Sequence, residues 1–185
     1  MKLAVITGSI RQGRVTHGLA QDISKRAAEL GGVEVTNVDL KDLDLPFFDE
    51  AISPKFNPDR KTEGAVKQWL DALATADAYV LVSPEYNKSI PGALKNAIDF
   101  IAYEVSNKPV ALASHGSSNG GYSLGQLRII VSELGGVTIP RFIGLPYGSY
   151  DSEGNFSGDV ESHQGQIDGL LTQLKQYSDA LASVR

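Results

Sequence analysis

The chain has 185 residues, 42% of them hydrophobic, enough to fill one substantial core, and a single domain over 1–185 is the expectation. Its 17 basic and 22 acidic residues leave a formal charge of −5, so the positive footprint of a nucleic-acid binder is missing and no nucleic-acid partner is expected. The absence of cysteine excludes disulfides, thiol nucleophiles, Fe–S clusters and cysteine zinc sites, which leaves any redox chemistry to a cofactor.

A strand-like run begins at Lys2, so no secretory leader is expected, and no apolar stretch reaches about 18 residues. A cytoplasmic protein without a membrane span is expected. Leu3 to Thr7 is a short apolar, β-branched run that stops at Gly8-Ser9, and residues 17–30 carry apolar residues at helical spacing. Val33 to Val38 alternates with period two and leads into a polar, proline-bearing loop from Asp39 to Arg60. Ala65 to Ala76 predicts an amphipathic helix, and Ala78 to Ser83 a strand that is apolar on both faces. Pro91 is suited to the first position of a helix continuing from Ala93 to Tyr103. Val110 to Ser114 predicts a fourth strand and Tyr122 to Leu134 a helix capped by Gly135-Gly136. A fifth strand over Val137 to Ile139 ends before Pro140, residues 142–158 form an irregular loop, and Val160 to Leu181 closes the chain as a helix.

Five strands alternating with helices imply an α/β, three-layer fold with a parallel sheet and right-handed crossovers. At this length the flavodoxin-like strand order 2-1-3-4-5 is expected, with ligands bound beyond the carboxyl ends of the strands. Function then falls on three loops, 8–17, 84–91 and 115–122, each directly after a strand.

The first loop, Gly8 to His17, joins glycines, hydroxyls, Arg11 and Arg14 to the amides of a helix N-terminus, which is the chemistry of a phosphate cradle. The plainer alternative is a βα turn with Thr16 as N-cap. Gly8 and Gly13 have Walker A spacing, but Arg14 and Val15 replace its Lys and hydroxyl, and no G-x-G-x-x-G is present. The second loop, Pro84 to Gly92, holds its amides between two prolines and offers Tyr86 as an aromatic wall; alternatively, Ser89 simply caps the next helix. The third loop contains G-x-S-x-G at Gly116 to Gly120, and Asp151 or Asp159 with His163 would complete the chain order of a serine hydrolase using Ser118. His17 and His115 stand at the mouths of two of these loops, but no spacing joins them to carboxylates, so no metal is expected.

Gly8-Ser9-Ile10-Arg11, followed by the eighteen residues from Ser83 to Phe100, resembles the NADPH-dependent FMN reductase family, which includes flavin, quinone, azo-dye and chromate reductases of flavodoxin-like fold. Gly116, Gly120-Gly121, Gln126-Leu127-Arg128 and Leu134-Gly135 extend the resemblance, so that it covers roughly residues 2 to 140. It implies FMN as cofactor and NADPH or NADH as electron donor. Ser9, Arg11, Thr16 and His17 would hold the phosphate. Pro84, Glu85, Tyr86, Asn87 and Ser89 would line the isoalloxazine, largely through backbone atoms, with Gly116, Ser117 and Ser118 closing the other side. Many relatives place Ser and Asn where Arg14 to His17 stand here. The resemblance further implies ping-pong hydride transfer to a small acceptor, no catalytic side chain, and a homodimer or homotetramer in which loop 40–60 is an interface element or lid. A flavodoxin-like electron carrier is the alternative of another class.

Overall fold

In the computed structural model, which describes residues 1–185, the expected alternation produces five strands and six helices. They run β1 (Lys2–Thr7), α1 (Thr16–Glu29), β2 (Glu34–Asp39), α2 (Leu40–Leu43), α3 (Gly64–Thr75), β3 (Ala78–Pro84), α4 (Gly92–Asp99), β4 (Pro109–His115), α5 (Gly121–Glu133), β5 (Val137–Leu145) and α6 (Val160–Leu181). The strands form one parallel sheet in the order β2-β1-β3-β4-β5, as expected.

Every residue of β3 and β4 is buried, because helices cover both faces of the sheet there. Alternate residues serve opposite layers. Leu3, Val5, Val80, Val82, Ala111 and Ala113 pack with Leu19 and Ile23 of α1 and Ile167, Leu170 and Leu174 of α6. Ala4, Ile6, Tyr79, Leu81 and Leu112 pack with Trp69 of α3, Leu94 of α4 and Leu127 of α5. Trp69 is a core residue, and its indole N–H donates to the Ala97 carbonyl at 2.7 Å, tying α3 to α4.

Four local expectations are corrected. β5 continues through Pro140 to Leu145, and residues 142–145 are therefore strand rather than loop. The pairing shifts from Val110↔Thr138 to Leu112↔Phe142, and a proline without an N–H is accommodated at this irregularity of an edge strand. α4 stops at Asp99, short of Tyr103, and the Arg60 guanidinium takes the Phe100 carbonyl at 2.6 Å. The 39–60 segment is not wholly loop: it holds α2 and a 3₁₀ turn at Pro54–Phe56. Pro91 stands just outside α4 as its N-cap residue.

The chain leaves β1 to one side for β2 and to the other for β3, so β1 and β3 part at a topological switch point. The loops beyond it are anchored by backbone hydrogen bonds to the neighbouring strands. Gly8 N–H donates to Val82 C=O at 2.8 Å, Glu85 N–H to His115 C=O at 2.9 Å, and Gly116 N–H to Leu145 C=O at 3.0 Å.

Candidate functional site

A single cavity at this switch point is lined by Ser9, Arg11, Arg14, Val15, Thr16, Pro84, Glu85, Tyr86, His115 and Tyr147. Six of the sequence-predicted residues are thus brought together: Ser9, Arg11, Thr16, Pro84, Glu85 and Tyr86. Volume does not mark this place, since clefts of about 270 and 390 Å³ lie elsewhere on the surface.

The head of the cavity is the N-terminus of α1. The N-cap position is Val15, no side chain caps the helix, and its first turn holds no acidic residue. Thr16 is therefore not the N-cap: it is the first helical residue, almost wholly buried, and its Oγ1 has no hydrogen-bond partner. Ser9 is fully buried and shares a 2.9 Å hydrogen bond with the Tyr86 hydroxyl. Arg11 lies 5.8 Å from the Tyr86 ring centre and makes no ion pair. Arg14 is committed otherwise. Its guanidinium donates to the Ser9 carbonyl at 2.7 Å and grips both carboxylate oxygens of Asp39, so its charge is spent inside the protein.

Asp39, which no motif singled out, is the residue that separates the two arginines into a scaffold and a free cation. It also faces His17, whose Nδ1 stands 3.5 Å from its Oδ2. His17 lines the neighbouring cleft with Asn37, Asp39 and Asp42 and not the cavity itself.

The second loop is a two-residue turn. Tyr86 and Ser89 exchange two 2.9 Å backbone hydrogen bonds, and Asn87 and Lys88 between them have φ of 50° and 63°. Ser89 is not the cap of α4; its hydroxyl donates to Gln126 Oε1 of α5 at 2.7 Å. Glu85 is buried, and its carboxylate accepts from the Tyr122 N–H at 3.0 Å, capping α5 from another loop because Gly120 offers no side chain.

Gly116 and Gly120 have side-chain reasons to be glycine. A Cβ on Gly116 would meet Glu85 Cβ at 2.7 Å, and one on Gly120, where φ is +70°, would meet Ser114 Oγ at 2.1 Å. Ser117 and Ser118 are exposed on the rim, as is Asn87. The Lys88 ammonium reaches across to Ser118 Oγ at 3.2 Å and stands 4.4 Å over the Tyr122 ring.

The hydrolase constellation is not assembled. His163 Nε2 is 2.8 Å from the Tyr150 hydroxyl, which donates to Asp22 at 2.6 Å, while Asp159 caps α6 and Asp151 closes its own loop. No cluster of three or more His, Asp or Glu side chains is arranged to hold a metal ion, and no helix is long and apolar enough to cross a membrane.

One lining residue, Tyr147, escaped the sequence argument, while His115, which stands at a loop mouth in the sequence reading, is part of the cavity wall. His115 is 5% exposed with an unpartnered Nε2, and Tyr147 sets its ring edge-on to it at 5.2 Å. Burial and the Arg11 charge lower the His115 pKa from 6.5, which keeps the ring neutral. An uncapped helix N-terminus, a free guanidinium and two buried polar atoms without partners fit an acceptor-rich group such as the phosphate of FMN.

Known proteins agree. The sequence pattern of the NADPH-dependent FMN reductase family matches residues 1–149. An NAD(P)H-dependent FMN reductase of Nectria sp is 35% identical over 131 residues, 68% of this chain and 65% of that protein, so the match spans just under two thirds of that relative's length. A quinone reductase of Escherichia coli K12 is 30% identical over 195 aligned positions, covering 100% of this chain and 98% of the relative. The flavoenzyme NAD(P)H:(acceptor) oxidoreductase of Paracoccus denitrificans shares the fold, with a TM-score of 0.73 at 24% identity over 95% of this chain and 98% of its own. The family match over residues 1–149 and the full-length likeness to the quinone reductase lead to one conclusion: this chain belongs to the NADPH-dependent FMN reductase family.

Proposed function

We propose that this protein is an FMN-dependent oxidoreductase that carries two electrons from NADPH or NADH to a small acceptor such as a quinone, a free flavin, an azo compound or chromate. The observation that supports this most directly is the cavity at the α1 N-terminus, where Thr16 Oγ1 and His115 Nε2 are buried without partners beside an unpaired Arg11. Ser9, Arg11, Thr16 and the first amides of α1 hold the phosphate, with His17 at the margin of this group beside Asp39. Pro84, Glu85, Tyr86, Asn87 and Ser89 form one wall for the ring, and Gly116, Ser117 and Ser118 the other.

FMN, when bound, supplies the hydride chemistry between nicotinamide and acceptor. The chain's own part is positional. Lys88, Ser89 and Glu85 tie the two walls together, so the slot between them is set before any ligand enters. The transfer needs no side chain as proton donor or acceptor. Donor and acceptor approach through the same opening between the three loops and exclude one another, which gives ping-pong kinetics.

The working assembly is a homodimer or homotetramer of one flavin-binding domain per chain, in the cytoplasm. The 40–60 segment, where Phe47 is 89% and Phe56 80% exposed, supplies apolar surface for such contacts.

The deciding experiment is the visible absorption spectrum of the purified protein with added FMN, then with NADPH under argon. The expected result is a protein-bound flavin spectrum that bleaches with NADPH and recovers with quinone, with parallel double-reciprocal lines in steady state. Flavin that binds but does not bleach with either nicotinamide would make the protein an electron carrier instead.

A further inference from the structure

Resting on the flavin reading above, we propose that His115 is a ligand of the cofactor's phosphate and takes up a proton from solvent as the phosphomonoester dianion enters, so that the cradle reads the charge of its ligand as well as its shape.

β4 ends at His115, whose backbone pairs with Pro84 of β3 and Leu145 of β5. Ala111 and Ala113 belong to the layer covered by α1 and α6, and strand alternation puts His115 on that same face, above the start of α1. The imidazole shares its cavity with Ser9, Arg11 and Thr16 of the β1–α1 segment. A buried polar atom left without a partner is destabilising, and this cavity contains two, His115 Nε2 and Thr16 Oγ1. One group with several acceptor oxygens satisfies both. A phosphate dianion has no proton to donate, so Nε2 must carry the hydrogen that joins them.

The surrounding charges decide the proton count. The β1–α1 loop presents Arg11 and Arg14, the β3–α4 loop Glu85 and Tyr86, and the segment after β5 Tyr147. Arg14 is neutralised by Asp39. Glu85 is held by the Tyr122 N–H and lies 3.9 Å from the Lys88 ammonium. The uncompensated charges facing His115 are then Arg11 and the positive end of α1, about +1.5 in all. Both repel a proton from the ring. A phosphomonoester brings about −1.5 to −2 near neutral pH, which cancels that repulsion and favours the imidazolium. Riboflavin has no phosphate and brings nothing comparable.

The test uses the whole protein stripped of flavin. Titration calorimetry with FMN near pH 7.5, in two buffers of different ionisation enthalpy, should show net proton uptake approaching one per site. FMN affinity should rise as pH is lowered from 8.5 to 6.5, by up to about tenfold per pH unit for one linked proton. Riboflavin should bind with no such dependence. His115→Gln, which keeps a donor but cannot titrate, should bind FMN more weakly with no proton uptake, and its melting curve checks that it folds. FMN binding by the native protein without proton uptake overturns the proposal whatever the variant does, and so does equal uptake by His115→Gln. A native protein that binds no FMN at all removes the flavin reading itself, a distinguishable failure.

Discussion

The loops beyond β3 and β4 and the loop beyond β1 are built on opposite principles. In the first pair, side chains tie the two loops to each other and to α5. Tyr86 and Ser89 close on each other, Ser89 holds Gln126, Lys88 holds Ser118, Glu85 caps α5, and Ser114 and Ser123 share a buried 2.6 Å hydrogen bond. Around the β1–α1 loop, Arg14 holds Asp39 and the Ser9 carbonyl and Ser9 meets Tyr86, but Thr16, Arg11 and, facing them from the end of β4, His115 have no partner. Satisfied loops fix the shape of a slot. Unsatisfied ones supply its affinity, because their groups gain most from a ligand.

The sharpest way to break this contrast is to spoil a wall. Gly120→Ala places a methyl group against Ser114 at a left-handed φ and should cost about 2–5 kcal/mol of stability, read from urea unfolding. Unchanged stability would mean that the wall is not close-packed. At the cradle, Arg11→Ala should leave the fold intact and weaken FMN binding about ten- to a hundredfold, the worth of a charge-assisted contact of about 1.5–3 kcal/mol, measured by flavin fluorescence quenching. Lys88→Ala, which removes an exposed tie between walls, should change that affinity by less than about threefold. Equal effects for the two variants would erase the distinction between cradle and wall.

A third probe lies outside both. Burial lowers the His163 pKa from 6.5, against the opposing pull of Asp22. A histidine whose folded pKa lies below its unfolded value stabilises the fold above about pH 6.5 and loses that contribution as pH falls through the window between the two. His163→Phe should therefore flatten the fall in urea midpoint between pH 7.5 and 5.5, while FMN affinity at pH 7.5 stays as in the native protein. A steeper fall in the variant would contradict the sign. The smallest effect is expected at the rim. Ser118→Ala should lower NADPH oxidation less than about tenfold, whereas loss of a triad nucleophile costs many orders of magnitude, and a fluorophosphonate should not label Ser118 in the native protein.

Strand count, layer order and the three working loops were legible in the residues because periodicity and glycine-proline punctuation are local signals. Val80, Ala111 and their neighbours announce a sheet covered on both faces, and the run from Ser83 to Phe100 carries the family resemblance. β5 beyond Pro140 was not legible, since an edge strand with an irregular pairing tolerates the residue that normally ends a strand. The division of labour between Arg11 and Arg14 was hidden for another reason: it depends on Asp39, 25 residues past Arg14, carried to the same sheet end by β2. His115 reads as the first residue of a loop, standing at its mouth, and Glu85 as part of a ring-binding loop. Only the packed structure left the first without a partner and gave the second a helix to cap, because burial and long-range neighbours are properties of the assembled sheet and of no stretch of chain by itself.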